Sequence, residues 1–416
     1  MSTKRSAAQR KRPLPVKRPP APVRRRRGLP FAVRLRGTIA LLLGLCAALT
    51  AANIVSEPRP NAVSALEGTA GTAGFELYTL ERDTGFDNAG KKKPDAVRGT
   101  NIADSGDGAV ILTAPRIQEY AALPTVLAAV TINDDDTSSL EIVHLSGGQE
   151  TLVPLPGAGK VELLHAASKN LIGFAFSSAP PSQQHWKTLF VYDTTDPSTP
   201  PREIHGPDGK PVSVLEWDFV PDTFSLVVQN ASGAMFLVDA LRTGKPAPLG
   251  LHAEFRGFIP GTREIYVVDA SSDPTDKLAK NLSIDLSNGT VRPLDLKAVV
   301  RSDRSWPGAT VLLNGSGRYA QSISENTAGK VTSVLTATDA TGSETLFQPD
   351  PAWSRIDGYC LSPDGKFMAV EATAPEGTAD RYPVLPAHSP MRTEIIELDT
   401  GRHTRTLAGF LPSWCR

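Results

Sequence analysis

Residues 362–372 read SPDGKFMAVEA, and residues 393–409 read TEIIELDTGRHTRTLAG. In the first stretch an Asp-Gly pair, suited to a tight turn through positive φ, leads into an apolar run that reads as a strand. In the second, two strand-like runs flank the polar turn Asp399-Thr400-Gly401. Together they spell two successive hairpins, which make one four-stranded antiparallel sheet.

Both units recur. The turn-and-strand unit appears at 105–114 (SGDGAVILTA), 168–176 (SKNLIGFAF), 220–229, 259–269, 314–323 and 362–372. The strand–turn–strand unit follows it at 139–155, 187–204, 234–249, 281–296, 333–348 and 393–409. An unpaired copy, FELYTLERDTG, stands before them at 75–85. Measured between turn residues 108, 170, 222, 261, 317 and 365, the intervals are 62, 52, 39, 56 and 48. Propeller repeats run ~40–50 residues. The pattern predicts an all-β chain, a β-propeller of four-stranded antiparallel blades. In each blade the first unit supplies the two inner strands and the second the two outer ones. One such sheet cannot bury both faces alone, whereas radial packing gives every face a neighbour and leaves only short edges. No long stretch carries the i, i+3, i+4 apolar spacing of an amphipathic helix.

A ring must close. The strand in FELYTL is expected to pair near the C-terminal segment, and GFLPSWCR (409–416) reads as the start of a further blade. Complete units number six, and the terminal fragments supply a seventh built from both ends; the count is six or seven, with seven favoured. The propeller is assigned to residues 74–416.

The segment before it differs in composition. Residues 1–36 hold 13 Lys/Arg and no Asp/Glu, leaving 31 basic against 44 acidic residues in the other 380. The zero net charge therefore hides a basic tail on an acidic body. Such a body disfavours nucleic acid, whose phosphates need a basic face. The proline-rich tail (1–36) is expected to be disordered and cytoplasmic, with anionic lipid as a candidate partner. Thr38–Val55 carries no charge. As a helix of ~1.5 Å per residue it spans ~27 Å, close to the ~30 Å hydrocarbon core. Residues 37–55 are expected to be an uncleaved signal anchor, with the N-terminus cytoplasmic and the propeller outside. The alternative is secretion after cleavage near Thr50-Ala51-Ala52. Leu45 spoils a lipobox before Cys46, and Pro30 spoils a twin-arginine signal at Arg26-Arg27. Residues 56–73 read as a flexible linker.

The phrase Leu361-Ser362-Pro363-Asp364-Gly365-Lys366-Phe367-Met368-Ala369-Val370 resembles the repeat of TolB-like and WD40-like propellers. Only this blade carries the motif cleanly. Asn314-Gly315-Ser316-Gly317 and Pro221-Asp222-Thr223 keep part of it, and no Trp-Asp dipeptide closes any blade. The resemblance implies the fold; it does not carry over an activity.

Motifs for chemistry are sparse. There is no G-x-S-x-G elbow, P-loop, dinucleotide fingerprint or HExxH, and Ser316 sits at a blade turn. No catalytic residue, cofactor site or metal site is assigned. The histidines at 144, 165, 185, 205, 252, 388 and 403 are scattered. His165 and His252 fall near expected inner strands, where convergence on the channel would occur; the alternative is ordinary satisfied histidines. Asn133-Asp134-Asp135-Asp136 offers oxygen ligands but lacks the Gly and Glu of an EF-hand loop, and reads as a solvated hairpin tip. Lys91–Lys93 reads as an exposed loop. Trp217, Trp306, Trp353 and Trp414 each lie near a first strand. They pack between blades or rim the channel mouth. Cys360 and Cys415 are candidates to pair outside the cytosol, which sequence leaves open.

Two functions compete. One is a non-catalytic scaffold in a bacterial-type cell envelope, binding a protein or envelope polymer at the propeller loops. The other is a channel-sited enzyme, a lyase or a glycan or peptide hydrolase, requiring carboxylates or histidines to converge at the axis.

Overall fold

A computed structural model describes residues 64–65, 76–82, 93–106, 108–146, 150–167, 170–178, 187–241, 244–269, 280–296, 305–327 and 329–414, with side chains at 64, 65, 378 and 389 left aside. The expected basic tail, the anchor at 37–55, Trp186 and Cys415 lie outside the described residues. Among the described residues no helix is long and apolar enough to cross a membrane.

The chain is a seven-bladed β-propeller, each blade an antiparallel sheet. Blade 1 comprises Ile117–Ala122, Val126–Ile132, Ser138–His144 and Glu150–Leu152. Blade 2 comprises Gly159–Ala166, Leu171–Ser178, Thr188–Asp193 and Arg202–Glu203, and blade 3 comprises Val214–Phe219, Ser225–Asn230, Ala234–Asp239 and Ala247–Leu251. Blade 4 comprises Glu254–Phe258, Glu264–Asp269, Lys280–Asp285 and Val291–Pro293, and blade 5 comprises Ser305–Leu312, Tyr319–Thr327, Lys330–Thr338 and Ser343–Phe347. Blade 6 comprises Arg355–Leu361, Phe367–Ala379, His388–Glu397 and Arg402–Ala408. In each, chain order equals sheet order. The first strands of neighbouring blades touch one another, so they are the inner strands that wall the axis.

Blade 7 closes the ring. Its inner strand is Phe410–Trp414, followed outward by Leu77–Glu81, Asp95–Thr100 and Ala109–Ala114. Leu77 lies opposite Trp414, Tyr78 opposite Ser413 and Leu80 opposite Phe410, as the terminal fragments suggest. Ser64–Ala65 adds a short fifth strand on the outer edge of this blade.

Five of the six turn-and-strand units fall on the first hairpin of a blade, as read. The unit at 105–114 does not. Ala109–Ala114 is the outer strand of blade 7, and blade 1 turns its first hairpin at Leu123–Thr125 without an Asp-Gly pair. Gly108 is needed there for another reason. Its φ is +79°, and a Cβ would stand 2.7 Å from the Gly99 carbonyl oxygen.

Between blades the strands' alternating apolar faces interlock. Trp217 of blade 3 is fully buried and lies on Gly173 of blade 2, where a Cβ would meet its Cη2 at 2.2 Å. Val161, Ile172 and Phe174 of blade 2 pack with Ala128, Val130 and Ile142 of blade 1. The apolar runs that look like strands in the sequence are thus the inter-blade core, and burial at ~25 cal/mol per Å² is what draws the sheets together.

Candidate functional site: the channel mouth

Every inner strand shifts register against the second strand of its blade. The shifts fall at Ile117/Glu119, opposite Gly173/Ala175, and at Val214/Glu216, Phe255/Gly257, Pro307/Thr310, Ile356/Gly358 and opposite Tyr78/Leu80. A bulge inserts a residue and re-aims those beyond it. Leu163 and Leu411, within two of them, take φ of 54° and 50°. This conformation disfavours a branched side chain, and the surrounding ring imposes it.

At the C-terminal ends of the inner strands a cavity of about 170 Å³ opens, lined by residues of blades 1, 2, 3, 6 and 7 that include Tyr120, His165, Asp218, Leu361, Ser413 and Trp414. His165 Nδ1 lies 3.1 Å from Asp218 Oδ1, joining blades 2 and 3. Asp218 Oδ1 also accepts the Phe219 backbone N–H at 2.8 Å, which fixes the carboxylate. The imidazole rests on Trp217, ring centres 4.8 Å apart, and Trp217 meets Phe219 edge-on at 5.5 Å. An immobile indole therefore sets the plane of a half-exposed histidine. Across the mouth Tyr120 donates its hydroxyl to the Leu411 carbonyl at 2.6 Å, and burial pushes its phenol well above the ordinary range.

Behind the mouth stand carboxyls. Glu119 follows the bulge of blade 1 and accepts the Leu164 N–H at 3.2 Å. Burial raises it to about 7, against the pull of that N–H and of His165. Glu216 follows the bulge of blade 3 and is exposed; partial desolvation by the neighbouring strands raises it, and His165 and Lys187 oppose the rise. Glu162 forms an ion pair with Lys187. His165 thus lies within electrostatic reach of Glu119 and Glu216 while bonded to Asp218. Such a set can orient a polar ligand or move a proton near neutral pH. Among the described residues no three His, Cys, Asp or Glu side chains are grouped to hold a cation.

His252 does not join His165. It is buried outside the mouth, with Nδ1 2.9 Å from Asp269 and Nε2 3.1 Å from the Leu249 carbonyl. Asn133–Asp136 forms the hairpin tip of blade 1; Asp136 pairs with Arg116 at 3.3 Å, and the other contacts of the tip are local. Asp135 Oδ1 accepts the Thr137 N–H at 3.0 Å and hydroxyl at 2.6 Å, which holds its carboxyl below the usual range. Trp414 reaches the mouth, and Trp217 lies beneath it. Trp353 instead sits under the Arg392 guanidinium at 4.5 Å, and half-buried Trp306 lies in the inner strand of blade 5. Cys360 lines the mouth with its Sγ 3.5 Å from the Pro412 carbonyl.

Sequence reasoning placed His165 near the channel but missed Glu119, Glu162, Glu216 and Asp218. Their approach depends on bulges that no shared residue type marks. Gly257, Gly308 and Gly358 lie at three of the shifts, while Gln118 and Leu215 lie at two others.

No protein-family model matches the chain, and no curated protein matches it. Solved structures do. A prolyl endopeptidase is similar at TM-score 0.52 and 12% identity, over 82% of this chain and 51% of that one. The β-propeller domain of the Trilobed protease from Pyrococcus furiosus has TM-score 0.47 and 13% identity, over 78% and 95% of the two chains. A putative TolB from Agrobacterium tumefaciens has TM-score 0.36 and 11% identity, over 72% and 85%. The chain spans about half the length of the prolyl endopeptidase it resembles. At these identities the likeness is one of fold: this chain is a β-propeller.

Proposed function

We propose that the chain is a membrane-anchored, extracytoplasmic scaffold that binds a protein or envelope polymer at its channel mouth without transforming it. The observation that carries this reading is the mouth itself. Inner strands of five blades meet there around a shallow recess that sets one oriented, partly exposed polar pair, His165–Asp218, against the buried rings of Trp414 and Tyr120. A few fixed polar groups converging in a recess are what orient a bound ligand. The anchor rests on the uncharged run 38–55 behind 13 basic residues. The test is crosslinked capture from membranes with the tagged full chain. The Asp218→Asn and His165→Ala chains serve as controls, since both change mouth side chains that are only partly buried. A near-stoichiometric partner held by the wild type and lost by both variants supports the reading. A partner held equally by all three removes the mouth from it.

A second reading, a channel-sited lyase or hydrolase, is favoured by one specific feature. Glu119, raised to about 7, lies within electrostatic reach of a histidine oriented by an aspartate. Glu119→Gln separates the two readings. It keeps the Leu164 N–H bond but removes the proton exchange. Loss of turnover of a captured polymer with unchanged binding would favour the enzyme.

A further inference from the structure

The chain crosses every boundary between blades, and the break in the ring falls inside one blade. Within blade 7 the inner strand Phe410–Trp414 arrives from blade 6, while Leu77–Glu81 beside it leads through the blade to blade 1. The ring's seam is therefore the non-covalent contact between these two strands. A second set of contacts crosses the same seam.

The middle strands of blade 6, Phe367–Ala379 and His388–Glu397, run beyond the blade and turn through 380–387. Asp380 shapes that turn: its N–H bonds to the Ala387 carbonyl at 2.8 Å, and Oδ1 accepts the N–H groups of Tyr382 and Ala387, each at 3.2 Å. Its other oxygen accepts Arg82 Nη1 at 2.8 Å. This pair is buried, with side chains 4% and 7% exposed. Arg82 is the residue that follows the seam strand Leu77–Glu81. Its remaining donors reach the Leu385 carbonyl at 3.0 Å, the Ile117 carbonyl at 3.1 Å and the Gln118 carbonyl at 2.5 Å. The guanidinium lies 3.8 Å from the Tyr382 ring centre and 4.9 Å from that of Phe410. Tyr382 donates its hydroxyl to Asp95 Oδ2, which also accepts the Ile117 N–H at 2.8 Å.

One arginine therefore ties blade 6, blade 7 and blade 1 at the end of the seam where Phe410 begins. We infer that the hairpin 374–387 is a clasp across the ring's only non-covalent joint among the described residues, fastened by Arg82–Asp380 and Tyr382–Asp95. A desolvated Arg–carboxylate bond whose arginine also donates to three carbonyls is directional, and removing one partner leaves a buried charge alone. The clasp therefore acts on opening of the seam. Blades 3 and 4, on the far side of the ring, do not depend on it.

Hydrogen exchange of the full chain tests this, comparing wild type with Asp380→Asn and Tyr382→Phe. Amides of Leu77–Glu81 and Phe410–Trp414 are expected to exchange about tenfold faster or more in Asp380→Asn, the effect of ~1.4 kcal/mol on local opening. Strands Ser225–Asn230 and Glu264–Asp269 should be unchanged. Tyr382→Phe removes a single hydroxyl and keeps the ring over Arg82, so it should fold and show a smaller effect of the same pattern. Unchanged exchange at the seam in both variants would overturn the clasp. So would acceleration spread evenly over all blades, since that reports a general loss of stability.

Discussion

Glu141 sits in the third strand of blade 1 with only 5% of its surface exposed, accepting the Thr131 hydroxyl at 3.1 Å. Burial, with a smaller contribution from Glu150, raises its carboxyl from 4.5 to about 7. The folded value lies above the unfolded one, so the fold favours the neutral acid. The stability this site confers is complete below pH 4.5 and is lost as the pH climbs through about 7. At ~1.4 kcal/mol per pH unit, the rise corresponds to a loss on the order of 3 kcal/mol by pH 8. Glu141→Gln keeps an oxygen for Thr131 and removes the charge. The variant should match wild type near pH 4.5 and exceed it at pH 8 by up to that amount. Urea unfolding of both proteins at a series of pH values, followed by tryptophan fluorescence, measures the difference. Other titrating groups cancel in the comparison. A difference between the two proteins that is the same at pH 4.5 and pH 8, or a less stable variant at pH 8, would refute the reasoning.

Further substitutions probe closure, packing and the mouth. Gly409 has φ +90°, and a Cβ there would stand 2.4 Å from the Leu80 carbonyl oxygen. Gly409→Ala should displace Phe410–Trp414 and lower the melting temperature by several degrees, as a loss of ~1–3 kcal/mol would. Trp217→Ala empties the joint between blades 2 and 3 and should cost about 3–5 kcal/mol in chemical unfolding. Gly173→Ala drives a methyl into the same ring and should cost about 1–3 kcal/mol. Asp218→Asn is expected to leave the unfolding free energy within about 0.5 kcal/mol of wild type, since the side chain is only partly buried, while reducing partner capture.

The fold was legible because its core is written in a repeat. Five blades put a turn and an apolar strand in the same place, and the FELYTL and FLPSW fragments could be matched as two parts of one sheet. The misplaced unit shows the limit. Gly108 is a glycine because Gly99 presses against it, whereas Leu123-Pro124-Thr125 turns a hairpin with no glycine at all. Turn chemistry identifies a backbone need, and several needs share one residue. The mouth was less legible for a stronger reason. Strand periodicity says which face a residue occupies only while the register holds, and every inner strand breaks it. Glu119 and Glu216 look like surface carboxylates in the sequence; a bulge before each brings them to the channel wall beside His165. The clasp was invisible because Arg82 and Asp380 lie 298 positions apart.

The composite closing blade also sets a schedule for making the protein. Leu77–Glu81 is synthesised early, yet its inner partner follows some 330 residues later: Thr79 bonds to the carbonyl of Ala408, 329 positions on. Until then one long side of that strand offers unpaired N–H and C=O groups, the kind of edge that recruits other chains. Six blades can form hairpin by hairpin from local contacts, but the ring waits for the most distant contact in the chain, and such contacts form slowly. The dangerous interval is therefore the one between emergence of the first strand and emergence of the last. A ribosome stalled in blade 6 would leave a nearly complete propeller with its adhesive margin still open, and proteins that shield nascent strands would matter most to this chain at that point.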